Sequence, residues 1–375
     1  MQDIDLDSIC SALVYAYILT NTKSPRSPNR LHIPITNIPA ADLKLRPELS
    51  YVLSEVKCDS QNLITLKDIQ DSVSLKARDE KRAESGRPNV ILVDHNSITG
   101  ALKERFGKHV VGCIDHHEDE NTIPKNSDVK DDAKEPSPPR IIKPAGSCMS
   151  LIIDHCLPTL KDKTNEINVE EVALLAIAPI LIDTNNLKDA SKTTDLDISV
   201  MGFLEETCRS TTQLSSTANR YDRNKYFEAV DAAKSSIESL SISDILRKDY
   251  KSWSENDLTL GTAAVVRPIS FLLKKAQGGE IFTKEVEKFA EERELDVCAV
   301  MTTFNDENGK FCREGYLWAA EGRGTRVVKE FVKKHGKELE LEETDENGFK
   351  YWKQRNLSAS RKQTAPMLRK AMASN

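Results

Sequence analysis

Two neighbouring stretches decide the fold: Val90-Ile91-Leu92-Val93-Asp94-His95-Asn96 and Val110-Val111-Gly112-Cys113-Ile114-Asp115-His116-His117. Each opens on a nearly unbroken apolar run and breaks off at an aspartate followed by histidine. Runs of this length and make-up suit strands buried on both faces, as in a parallel sheet covered by helices on either side. In open α/β sheets the ligand lies beyond the carboxyl ends of the strands, so side chains just past those ends converge on one crevice.

Outward from these strands the chain alternates. Ser8 to Thr20 carries Ile9, Ala12, Leu13, Ala16 and Tyr17 at helical spacing, with Ser8 as the expected N-cap. Glu48–Val56, Met149–His155 and Val169–Ile177 predict further helices, and Leu31–Ile35 a further strand. Residues 1–209 therefore read as an α/β parallel-sheet domain. Acidic residues crowd Glu118 to Pro139, which ends Pro136-Ser137-Pro138-Pro139, and predict a flexible surface insertion over 118–139. The polar run Ser210–Thr217 predicts an interdomain linker over 210–220. Residues 221–375 read as a smaller α/β domain with strands Leu258–Val266, Val297–Phe304 and Gly315–Ala319, and helices Lys284–Glu294 and Thr325–His335.

Composition agrees. The chain has 375 residues, 39% hydrophobic and 30% charged, enough for two domains at about 150 residues each. It is not disordered throughout, collagen-like or a coiled coil. No apolar run approaches the ~20 residues of a membrane span, and Met1-Gln2-Asp3-Ile4-Asp5 lacks the pattern of a signal peptide. The eight cysteines form no CxxC pair, so a reduced, cytoplasmic protein without membrane association is expected. A net charge of −6, from 53 basic and 59 acidic residues, argues against a general nucleic-acid binder. From Tyr351 onward six basic residues (Lys353, Arg355, Arg361, Lys362, Arg369, Lys370) meet no acid. Either an anion-binding element or a solvated basic helix accounts for them.

Four strings carry chemistry: Asp5-Leu6-Asp7-Ser8, Asp94-His95-Asn96, Asp115-His116-His117 and Asp183-Thr184. Singly, an aspartate at a strand end is ordinarily a helix cap or turn former. Together, each at an expected strand end of one domain, they predict a metal site. Carboxylate plus imidazole suits Mg²⁺ or Mn²⁺, whereas a zinc thiolate site would want paired cysteines.

The same strings, with Gly146-Ser147-Cys148 and Ile180-Leu181-Ile182-Asp183-Thr184, resemble the DHH phosphoesterases, named for the motif standing here as Asp115-His116-His117. Ile245-Leu246-Arg247-Lys248-Asp249-Tyr250-Lys251 and Ser360-Arg361-Lys362-Gln363 are similar to elements of the C-terminal domain in the family-II pyrophosphatase and exopolyphosphatase branch. Within that branch the fungal-type cytosolic exopolyphosphatases are the nearest likeness. The resemblance implies an active site in a cleft between the two domains and two divalent ions, Mn²⁺ or Mg²⁺. Asp94 would bridge them, with Asp5 on one ion and Asp7, His116 and Asp183 on the other. A hydroxide shared by the ions would attack a terminal phosphorus. His117 would contact the substrate phosphate or protonate the leaving oxygen, Asp115 would orient a histidine, and Lys251, Arg361 and Lys362 would hold phosphate oxygens.

The implied activity is release of orthophosphate from the ends of inorganic polyphosphate by a monomer. Alternatives are an inorganic pyrophosphatase, a nucleotide phosphodiesterase resembling the animal prune proteins, or an impaired form that only binds polyphosphate. Gly146-Ser147 would open a helix whose amides face an anion, or serve as an ordinary cap. The family also places a His or Asn ligand four residues before Asp5, where Met1 stands, at the end of a further strand. A weakened sheet and one poorly held ion are expected from that difference.

Overall fold

The computed structural model describes residues 4–22, 31–71, 88–124, 138–162, 167–210 and 221–374. Met1, the expected linker from residue 211 onward and residues 125–137 of the expected insertion lie outside the described residues. The chain divides into two compact units, Met1–Ser236 and Ile237–Asn375.

In the first unit, α1 (Leu6–Asn21) begins at Asp5 and not at Ser8. The Asp5 carboxylate accepts from the amides of Asp7 and Ser8 at 3.0 and 3.2 Å, and Ser8 completes a reciprocal capping box from the third helical position. Helix α2 (Pro47–Glu55) follows, with proline in its first turn, and then the short α3 (Leu66–Asp71). The expected strand at Leu31–Ile35 does not form. Pro34 removes a ladder donor, Leu31 and Ile33 are exposed, and the nearest pairing is a single bridge between Thr36 and Thr65.

The sheet consists, among the described residues, of β1 (Val90–Val93), β2 (Val110–Asp115) and β3 (Arg140–Ile142), parallel and in that order. Val93 pairs with Ile114, and Asp115 with Ile142. Asp94 and Asp115 therefore leave adjacent strands at the same edge of the sheet. Between β1 and β2 lies α4 (Gly100–Phe106). The core is made by α1, α5 (Cys148–Lys161), α6 (Val169–Asp183) and α7 (Asp195–Ser210). Helix α6 is apolar without interruption from Val172 to Ile182, as a helix surrounded by other elements must be. It absorbs the run expected to be a strand before Asp183, which is instead the last residue of a helix. Continuous apolar runs carry no periodicity, so helix and strand cannot be told apart by pattern there.

Residues 118–124 are built into this unit. Ile123 is buried, and Arg140 pairs with Asp119 at 2.6 Å. Helix α8 (Arg223–Ser235), expected to open the second domain, inserts Tyr226 and Val230 into the first core.

The second unit carries a six-stranded mixed sheet in the order β4-β5-β6-β7-β9-β8. Its strands are β4 (Tyr250–Glu255), β5 (Leu258–Val265), β6 (Val297–Asn305), β7 (Phe311–Ala319), β8 (Leu341–Glu346) and β9 (Phe349–Gln354). Only the β5–β6 pair is parallel. Leu258, Leu260, Val297 and Ala299 share a core with α12 (Arg323–His335) and α13 (Arg361–Ala373). By strand alternation Cys298 and Val300 face the other side, which α9 (Ile242–Lys248), α10 (Ile269–Ala276) and α11 (Gly279–Glu291) cover.

Candidate metal centre

The site grows from the carboxyl ends of β1 and β2. The amide of Asp94 still donates to Ile114 O at 3.0 Å, and there the backbone turns into the left-handed region, φ 61°. Aspartate tolerates that conformation better than most residues, and its cost at a buried site is held by the surrounding structure. Asp115 ends β2 fully buried. The ligand atoms of Asp94, Asp115, His116 and His117 all lie within 4.8 Å of one another.

His116 carries the clearest signal. Its Nδ1 is 2.9 Å from the carbonyl of Ala145, a partner that can only accept, so this nitrogen bears the proton. In the neutral ring Nε2 then presents a lone pair to Asp94 Oδ1 at 3.2 Å, and that buried oxygen has no hydrogen-bond donor. Two acceptors face each other, and only a proton or a cation between them resolves the contact. Burial opposes a charge on His116, but the hydrogen bond to Asp94 and the charges of Asp7 and Asp94 outweigh it and push the imidazole up to about 10.

The carboxylates around this pair point the same way. Burial, then the charge of Asp94, lifts Asp7 to about 7. Burial, then Asp7, Asp5 and Asp94, holds Asp183 well above the usual carboxylate range, and Asp183 Oδ2 is buried without a partner. Crowded acids with orphaned oxygens, beside an imidazole of fixed tautomer, fit a hard or borderline divalent cation. The fit extends to Asp7, although its oxygens already accept from Cys148 N at 2.6 Å and from Met149 N and Ser11 Oγ at 3.0 and 3.1 Å. Oδ1 takes two of these donors and Oδ2 one, so Oδ2 keeps a lone pair for a cation. The amides at the start of α5, expected to face an external anion, are thus occupied by the chain's own Asp7, and Ser147 is the N-cap.

All seven residues expected in the first domain (Asp5, Asp7, Asp94, Asp115, His116, His117 and Asp183) line one cavity of about 630 Å³. His117 Nδ1 lies 2.8 Å from Asp115 Oδ1. That hydrogen bond, against the opposing effect of burial, raises the imidazole above its ordinary value. Asp115 is held below the usual range despite burial, because His117 and Asn96 donate to it.

The cavity also gathers residues to which the sequence assigned no role: His95, Asn96, Glu120, Ser191, Lys192 and Thr194. The last three follow α6 on a turn where Asn185, Asn186 and Leu187 all have positive φ. The signal that marks this segment is Thr194-Asp195-Leu196-Asp197, a capping-box pattern before an apolar run. Asp197 Oδ2 accepts from Thr194 N at 2.7 Å and from Gly146 N at 2.8 Å, tying two cavity loops together.

Lys251, Arg361 and Lys362 belong to the second unit. Lys251 is exposed on β4, and Lys362 is exposed in the first turn of α13. Arg361 donates to Asp249 O at 2.9 Å and to its Oδ1 at 2.7 Å.

Comparison with known proteins matches both units. Residues 1–180 match the DHH family, N-terminal domain, and residues 228–371 the DHHA2 domain. A Schizosaccharomyces pombe protein named "Putative exopolyphosphatase" is 33% identical over 376 residues, covering 98% of this chain and 88% of its own. Human "Exopolyphosphatase PRUNE1" is 24% identical over 98% of this chain and 74% of its own. The "Manganese-dependent inorganic pyrophosphatase" of Methanothrix thermoacetophila is 26% identical over 80% of this chain and 78% of its own. The chain belongs to the DHH family, its DHH domain followed by a DHHA2 domain.

Proposed function

We propose that the chain is a metal-dependent exopolyphosphatase, a hydrolase releasing orthophosphate from the ends of inorganic polyphosphate. The observation that carries this reading is the orphaned Asp94 Oδ1 facing His116 Nε2 in a cavity lined by carboxylates. Asp94 would be the carboxylate shared by two divalent ions, Mn²⁺ or Mg²⁺, with Asp5 on one and Asp7, His116 and Asp183 on the other. Bound there, the cations would neutralise phosphate charge and make water a competent nucleophile.

The chain's own groups do the rest. Ala145 O fixes the His116 tautomer, so that Nε2 faces Asp94. His117, its Nδ1 held by Asp115, has its other nitrogen for a phosphate oxygen or for the proton of the leaving group. Lys192 adds a positive charge to the cavity lining. Lys251, Arg361 and Lys362 would hold the remaining phosphates of the chain, guanidinium as a planar fork and ammonium as a point charge. The names of the relatives support polyphosphate and pyrophosphate as the substrate class. All eight cysteines are free thiols, in keeping with a reducing cytoplasm, and no helix among the described residues is long and apolar enough to cross a membrane.

The test is phosphate release from long-chain polyphosphate, pyrophosphate and a cyclic nucleotide, each with Mn²⁺, with Mg²⁺ and in EDTA. Metal-dependent release fastest from polyphosphate is expected. Faster release from pyrophosphate would make the chain a pyrophosphatase, and hydrolysis of the cyclic nucleotide alone a phosphodiesterase. Tight polyphosphate binding without turnover in either metal would leave a binding protein.

A further inference from the structure

We propose that Asn96 is a positioning residue: its carboxamide fixes the Asp115 carboxylate, which in turn holds the His117 imidazole toward substrate. The inference rests on the role given to His117 above. His117 has a side chain 58% exposed, so packing alone does not fix its ring. What fixes it is Asp115 Oδ1, which accepts from His117 N at 3.2 Å and bonds Nδ1 at 2.8 Å. Asp115 in turn is fully buried and gives its other oxygen to Asn96, whose Nδ2 donates to Oδ2 at 2.6 Å. The two oxygens are thus divided, one toward the histidine and one toward the asparagine.

Asn96 is itself 2% exposed and spends its amide fully. The second Nδ2 hydrogen goes to Glu118 O at 2.9 Å, and Oδ1 accepts from Glu120 N at 2.8 Å. Its backbone carbonyl accepts from Thr122 Oγ1. The segment carrying His116 and His117 is therefore bracketed, by β2 before it and by Asn96 after it. Position 96 must offer two donors and one acceptor at a buried spot without adding charge, and only a carboxamide of this length does so. Aspartate there would set two carboxylates face to face, while leaving the acceptor for Glu120 N in place. The substitution thus removes both Nδ2 bonds, to Asp115 and to Glu118 O, and keeps only the Glu120 anchor of the loop.

The experiment compares the full chain, loaded with Mg²⁺, with Asn96→Asp and the smaller, uncharged Asn96→Ser. In ¹⁵N-edited spectra the His117 Nδ1 proton is assigned by its disappearance in His117→Gln, and the His116 Nδ1 proton, bonded to Ala145 O, serves as an internal reference for the fold. We expect the His117 resonance to be lost or broadened in both Asn96 variants while that of His116 persists. Turnover should fall about 10–100-fold, with KM and Mg²⁺ affinity within about threefold of the parent. An unchanged His117 resonance in either folded variant, or loss of both histidine resonances together in both variants, would overturn the proposal. If the parent chain releases no phosphate, the functional reading fails, and the resonance still decides the role of Asn96.

Discussion

At the scale of single residues the site turns on Asp94, which combines a left-handed backbone with a buried oxygen that no donor satisfies. Asn shares both the shape and the tolerance for positive φ. Asp94→Asn should therefore fold normally by circular dichroism yet lose at least about a hundredfold in phosphate release; near-parental turnover would remove Asp94 from the centre of the mechanism. Asp94 and the Asp115-His116-His117 string stood out in the sequence because the apolar runs of β1 and β2 stop at them. Asn96 was visible as part of the Asp94-His95-Asn96 string, but no pattern states which of its neighbours a carboxamide will bond. Lys192 had no signal of its own, since it reaches the cavity on a loop that follows the left-handed residues Asn185 to Leu187 and leaves no mark in hydrophobic periodicity.

At the scale of elements, β1 and β2 were readable because apolar runs of four or five residues bounded by polar ones have few alternatives. Asp183 lines the same cavity as the others but ends a helix where a strand was expected, because the apolar run that leads to it belongs to a helix enclosed by other elements. Leu31–Ile35 failed as a strand for a local reason, Pro34. The loop before α5 offers a test of how tightly these elements meet. A Cβ on Gly146 would come within 2.6 Å of Thr184 Cγ2, 2.7 Å of Asp197 Oδ2 and 2.9 Å of Lys192 O. Gly146→Ala must therefore push apart two cavity loops, and should cost roughly 1–3 kcal/mol together with a measurable loss of Mn²⁺ affinity by calorimetry. Unaltered melting and affinity would show that the loops give way freely. In the second unit, Lys362 stands exposed in the first turn of α13. Lys362→Ala should raise KM for polyphosphate and flatten its dependence on salt, with the melting temperature unmoved; a change in stability alone would make the basic terminus structural.

For the whole molecule, the crowded acids make stability depend on pH and on divalent metal. Asp7 moves from an ordinary value of 3.8 to about 7 in the folded chain, so between those limits the folded state binds more protons than the unfolded. Stability without metal should accordingly fall as pH rises through that window. His116, raised from 6.5 to about 10, extends the decline in the same direction. A divalent cation replaces the protons, and its ligands must be deprotonated, so its stabilisation should grow with pH. Melting curves at pH 5 and pH 8 should diverge in EDTA and converge in Mn²⁺, where a hundredfold excess over Kd contributes about 2.7 kcal/mol. A flat profile in EDTA would mean that the acids are not coupled as described. The polar run near residue 210 does not mark the division of the chain, which falls between Ser236 and Ile237; α8 lies in the first unit because Tyr226 and Val230 complete its core, a matter of packing that no linker composition reveals. In the second unit β9 joins β7 at two residue pairs, against nine between β6 and β7. A seam that narrow lets the β8–β9 hairpin breathe as one piece, so its amides should take up deuterium together, and sooner than those of β5 and β6.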